Sequence, residues 1–173
     1  MIRFDNRPFA DAEEMQEELI GRWNGHVTPE DTVYILGDFI WKKENLWPEI
    51  VRRFQGNKVL IRGNHDPKGF SKETRSLFQD IKDYKEISDD GRHVVLCHYP
   101  IPFYRHDQDL NTYMICGHVH NTRENLQLEA LRERIHGDRE CLNRFQLYNV
   151  GCMMPYMDYT PRTLDEIIGA FTG

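Results

Sequence analysis

The 173-residue chain is poor in cysteine, and its four, Cys97, Cys116, Cys141 and Cys152, form no CxxC pair. That argues against a disulfide scaffold and against zinc or redox sites built on paired thiols. Cys97 and Cys116 end apolar runs and read as small buried thiols. Long hydrophobic runs are lacking too. No apolar stretch approaches the ~20 residues that span a bilayer, and the opening MIRFDNRPF has no signal-peptide core. A cytoplasmic location with no membrane partner is the expectation. Positive charge is in deficit: 22 basic against 28 acidic side chains leave a net charge of −6. That makes nucleic acid an unlikely partner but leaves room for a local anion site. The sequence also carries no internal repeat and no Pro/Gly/Ser-rich linker.

What is present supports a folded core. Hydrophobic residues make up 39 % of the chain and aromatic ones 12 %, so wholesale disorder is excluded, and a single domain over 1–173 is expected. Asp11 with Glu14 marks a helix start, and Met15, Leu19 and Trp23 recur every four residues, which predicts a helix over 12–24. Short apolar runs predict strands at 32–36, 58–61, 112–116 and 144–150. Segments 82–87 and 92–97 flank Asp89-Asp90-Gly91 and predict a hairpin. Helices are expected over 44–54, over 123–135 as a solvated charged face, and from Thr163 onward. Strands alternating with helices imply a layered α/β domain.

One regularity stands out. Four strands each end in a polar cluster: Asp38, then Asn64-His65-Asp66, then His98, then His118 and His120. Sites in layered α/β folds form just beyond strand ends, where the backbone is fixed and side chains are free. Asp38 supplies a carboxylate, Asn64 an amide oxygen, and the three histidines imidazoles. This mixed N/O set without thiolate suits Mn, Fe, Zn, Ni or Co and suits Ca poorly. A carboxylate can bridge two ions ~3.5–4 Å apart that clamp the attacking and leaving oxygens of a phosphoryl transfer. An extended Gly117-His-Val-His120 would point His118 and His120 the same way. His65, flanked by Asn64 and Asp66, falls within reach of substrate rather than metal, the position of an acid that protonates a leaving oxygen; Asp66 would orient it or hold its charge. Taken singly, each cluster has an ordinary reading as a turn or a capped strand end. Together, in this order, they form a strong metal-site signal.

GD (37–38), GNHD (63–66), HYP (98–100) and GHVH (117–120) resemble the ordered motifs of calcineurin-like metallophosphoesterases. FDNRPF (4–9), DTVYILGDF (31–39) and YNVGC (148–152) are similar to a subgroup of small, stand-alone bacterial and phage enzymes. The resemblance implies a β-sandwich flanked by helices with a dinuclear site at the strand ends. It assigns Asp38 as the bridging carboxylate, Asn64, His98 and His118 as the other ligands of the second ion, and His120 as a ligand of the first. His65 is the implied catalytic histidine near the leaving group, with Asp66 its partner. Two divalent transition-metal ions (Mn, Fe, Zn or Ni), a small phosphate-ester substrate and in-line attack by a metal-bound hydroxide are implied as well.

The family's opening D-x-H has no counterpart, since no Asp in the chain is followed two residues later by His. The first ion thus keeps only Asp38 and His120 from the pattern, and a first core strand is expected to be missing. Three expectations follow: that Met1 is an internal methionine of a longer chain, that the chain is a truncation with one ion and impaired turnover, or that Asp5, His106 or Asp107 completes the site. An edge left by the absent strand would favour self-pairing. Arg105, His106 and Asp107 are weaker candidates for the cleft, and Trp41, Lys42 and Lys43 for contact with a phosphate.

Overall fold

The computed structural model describes residues 7–172. Asp5 and the first half of the FDNRPF segment lie outside them. The Asp11 carboxylate accepts the N–H groups of Glu13 and Glu14 and starts α1 (Ala12–His26), which buries Ile20 and Trp23. β1 (Thr32–Ile35), β2 (Asn57–Ile61) and β3 (Asp80–Lys82) form a parallel sheet in that order. A second sheet runs β4 (Tyr84–Asp89), β5 (Arg92–Cys97), β6 (Thr112–Cys116), β7 (Leu147–Asn149). There β4 pairs antiparallel with β5 across a two-residue turn, and β5, β6 and β7 run parallel. The helices α2 (Trp47–Val51), α3 (Lys72–Arg75), α4 (Arg123–Gly137) and α5 (Leu164–Thr172) complete the described elements.

Alternation along the strands decides how the layers stack. On β2, Leu60 packs with Ile20, Trp23, Trp47 and Phe54 on the helical side, while Val59 and Ile61 face the second sheet. On β5 and β6, Val94, Leu96, Tyr113 and Ile115 meet Val59 and Ile61 between the sheets. The intervening Val95, Cys97, Met114 and Cys116 pack outward with Ile135 of α4. The result is the expected β-sandwich with helices on both outer faces.

Several boundaries differ from expectation. The 82–87 strand is two strands in different sheets, β3 and β4. The chain changes sheet at Asp83, whose carboxylate accepts two hydrogen bonds from Arg62 (2.8 and 2.7 Å). The 44–54 helix is a 3-10 turn over Glu44–Leu46 followed by a short α2, with Pro48 in its first turn. α3 was not expected; the Ser71 hydroxyl caps it by accepting the Thr74 N–H. The 144–150 strand shortens to Leu147–Asn149, preceded by Phe145 in the left-handed region (φ 47°). α4 is more than a solvated face. Asn125 and Ile135 are buried, and Arg132 donates to the Leu147 carbonyl with its guanidinium over the Phe171 ring. Among the described residues β1 pairs with β2 alone, and no helix is long and apolar enough to cross a membrane.

Candidate active site

The carboxyl ends of β1, β2, β5 and β6 converge, and two glycines allow it. A Cβ on Gly37 (φ 85°) would lie 2.4 Å from His98 Nδ1 and 2.5 Å from the Gly63 nitrogen. A Cβ on Gly63 would lie 2.1 Å from Asp38 Oδ1. Without side chains at these positions the segments after β1 and β2 touch backbone to backbone.

Asp66 fastens that contact. Its carboxylate accepts the N–H groups of Asp38 (2.9 Å), Phe39 (3.0 Å) and Gly63 (2.8 Å). Burial raises its pKa; the three amides act in the opposite direction, and the nearby Asp38 carboxylate adds to the rise. Among the described residues no hydrogen bond joins Asp66 to the His65 ring. The expected orienting of His65 by Asp66 is therefore replaced by a brace between two loops.

Four donor atoms gather beneath this brace. His98 is 1 % exposed, and its Nδ1 lies 2.7 Å from the Leu36 carbonyl, which can only accept. The proton on a neutral His98 therefore belongs to Nδ1, and Nε2 presents its lone pair. That atom faces Asn64 Oδ1 at 3.1 Å, His118 Nδ1 at 3.2 Å and Asp38 Oδ2 at 3.6 Å. Asp38 Oδ1 accepts the His65 N–H at 2.8 Å, which fixes the carboxylate. Burial and the nearby His98 lower the pKa of His118 and favour the neutral imidazole that metals require.

Four lone-pair donors so placed repel one another unless a cation stands among them. A proton shared by His98 and His118 would satisfy a single approach. Donors bound at about 2.1 Å to one ion, 90–109° apart, stand roughly 3.0–3.4 Å from each other, close to the separations seen. The chemistry of the set, two imidazole nitrogens, a carboxylate and an amide oxygen, suits a divalent ion of the first transition row. Among the described residues no group of three or more His, Cys, Asp or Glu side chains could by itself hold an ion.

His118 and His120 depart from the expected strand geometry. Both lie in the left-handed region (φ 65° and 48°), as does Asp38 (φ 51°), and the Val119 N–H turns back to the Gly117 carbonyl. The two histidines are therefore separated by a tight turn rather than by strand alternation. His120 lines the same cleft as Asp38, His65 and His118, and its carbonyl accepts from the Asn149 amide at 2.9 Å. Asn149 is buried, also donates to Asn125 and accepts from Gly151, so β7 anchors the His120 turn. In the sequence this residue belongs to YNVGC, which by itself points to no role. Trp41, Thr122 and Glu124 complete the cleft, the last two from the α4 start.

Other expected residues lie elsewhere. Arg105 reaches Glu86 (3.3 Å), His106 lies beside Asp109 (3.9 Å), and Asp107 accepts from Asn143 (3.1 Å); none lines the cleft. Lys42 lines a separate groove with Glu13, Glu17 and Glu49.

Similar proteins agree with this architecture. An uncharacterized protein of Methanocaldococcus jannaschii is 34 % identical over 122 residues, which is 69 % of this chain and 61 % of that protein's length. A crystal structure of a protein of unknown function from Aquifex aeolicus matches 98 % of this chain and 90 % of its own, at 26 % identity and a TM-score of 0.68. The model of the calcineurin-like phosphoesterase superfamily domain matches residues 15–164. With that match spanning most of the chain, the protein belongs to the calcineurin-like phosphoesterase superfamily.

Proposed function

We propose that the protein is a metal-dependent hydrolase of phosphoric esters, acting on a small phosphomonoester or phosphodiester. The observation that carries this reading is the convergence of Asp38, Asn64 and His118 donors on the His98 Nε2 lone pair within 3.1–3.6 Å. Asp38, Asn64, His98 and His118 would hold one divalent ion of the Mn, Fe, Zn or Ni type, and His120 would contribute to a second beside Asp38. Bound there, such ions act as Lewis acids toward phosphoryl oxygens and make water acidic enough to attack at neutral pH.

The chain's own residues do the rest. His98 and Asp38, each held by a second hydrogen bond, keep the donor set in place before an ion arrives. Asp66 positions Asp38 and Gly63 through their backbone and so acts through other residues. His65 is exposed at the cleft, where it would deliver a proton to the leaving oxygen, and its ring is the candidate catalytic group. Among the described residues the lining carries the carboxylates of Asp38 and Glu124 and no lysine or arginine, so charge on a bound phosphoryl group would be left to the ions.

A second reading is a single-ion protein that binds a phosphate ligand without efficient turnover, since the donors gathered around His98 Nε2 would make up one ion's set. Hydrolysis of p-nitrophenyl phosphate and bis-p-nitrophenyl phosphate by the Mn-loaded chain separates the two. Turnover that falls at least about a hundredfold in His65→Ala, as loss of a general acid predicts, supports the hydrolase. A wild-type rate in that variant overturns the role of His65, and metal-dependent stability without turnover selects the second reading.

A further inference from the structure

The three tryptophans are used very differently. Trp23 and Trp47 are buried in the first core, whereas Trp41 is 58 % exposed and lines the cleft beside His65. Its ring centroid lies 4.3 Å from that of His65, at 54° between planes. Exposure here does not come from a loose loop. The residues on either side are fixed: the Asp38 and Phe39 amides bind Asp66, the Phe39 ring packs against Trp47 and Phe54, and Ile40 is buried. The Lys42 carbonyl accepts the Trp47 indole N–H at 3.3 Å. A rigid segment thus holds a large, half-open indole at the one wall of the cleft where His65 stands.

We infer that Trp41 is a specificity-determining residue, a stacking platform for the leaving group, and that the favoured substrates are phosphoric esters whose leaving group carries an uncharged planar aromatic ring, as an aryl alcohol or a nucleoside does. The inference rests on the proposed hydrolase reading, which puts the leaving group beside His65. Two features set the chemical class. The indole offers a flat apolar surface that is sequence-tolerant toward aromatic rings and gains less from an aliphatic chain. Among the described residues the lining offers Asp38 and Glu124 without a lysine or arginine, which disfavours a leaving group carrying its own anionic charge. Tyr99, 46 % exposed with its ring 4.6 Å from that of His118, adds a second aromatic edge near the donor cluster.

Phenylphosphonate and cyclohexylphosphonate form a matched pair of non-hydrolysable probes, equal in charge and close in size, only one of them planar. Competition against p-nitrophenyl phosphate turnover by the Mn-loaded chain should show phenylphosphonate binding about tenfold tighter, as expected for one aromatic stack. That ratio should collapse toward one in Trp41→Leu and largely survive in Trp41→Phe. Phenylphosphonate should also quench the exposed tryptophan fluorescence of the Mn-loaded chain, and Trp41→Phe should remove the quenching. A ratio near one in the wild type, or one unchanged in Trp41→Leu, overturns the inference and leaves Trp41 as a prop for His65. If the Mn-loaded chain turns over no phosphoric ester, the hydrolase reading fails instead. The fluorescence preference for the planar probe then still decides the platform by itself: quenching supports it and its absence overturns it.

Discussion

The two flanks of the cleft are built on opposite principles. On the inner flank Asp38, Asn64, His98 and His118 crowd together, and His98 is 1 % exposed and tied to the Leu36 carbonyl. On the outer flank His65 and Trp41 stand in solvent on fixed backbone, and the Asn149 amide anchors the His120 turn through its carbonyl. A site that must capture an ion needs its donors arranged before the ion arrives, because arranging them afterwards would subtract from the affinity. Groups that meet a substrate need open space instead. Under the proposed function, the crowded donors would take an ion and the exposed His65 and Trp41 would meet the substrate.

The comparison can be broken most severely at Asp38. Asp38→Asn should lower turnover about a thousandfold or more, and elemental analysis after Mn loading should find one ion fewer per chain than in the wild type. An unchanged ion count would show that the inner flank is not where metal binds. Gly37→Ala comes next. It forces a Cβ to 2.4 Å from His98 Nδ1 at a φ of 85°, and urea unfolding should register a loss of about 2–4 kcal/mol. A loss below about 1 kcal/mol would mean that the loops can separate cheaply.

His120→Ala sharpens the contrast. Turnover should fall about ten- to a hundredfold, while a chelator-sensitive melting temperature persists because the inner donors remain. If the chelator no longer shifts the melting temperature, the two flanks are one binding unit. The smallest effect is expected far from the cleft, at Gly21 in the middle of α1, where an added Cβ meets nothing within 4 Å. Gly21→Ala should stabilise by about 0.5–1 kcal/mol in the same unfolding assay and leave turnover alone.

Much of the frame was legible because it is local. Each polar cluster follows an apolar run, so the order of motifs predicted which strand ends would meet, and the sandwich follows from alternation along β2, β5 and β6. What escaped depends on contacts between distant segments. The sheet change at Asp83 rests on Arg62, 21 residues away, and the Asp66 brace reaches Asp38 across 28. Asn149 as anchor of the His120 turn spans 29 residues, and nothing in YNVGC alone points to it. The GHVH segment misled for another reason. A period of two fits a strand, yet His118 and His120 adopt backbone angles that strands do not have.

Those angles carry a further consequence. Asp38, His118 and His120 all lie in the left-handed region (φ 51°, 65° and 48°), which beyond glycine is tolerated best by Asn, Asp and His. Metal chemistry draws on Asp, Glu, His, Asn and Cys. Only the overlap of the two alphabets satisfies such a position, so a swap that keeps the donor and ignores the backbone, Asp38→Glu, violates the second condition. The fold thus acts as a filter on the chemistry. At these three places the main chain narrows which donor side chains the sequence can spell.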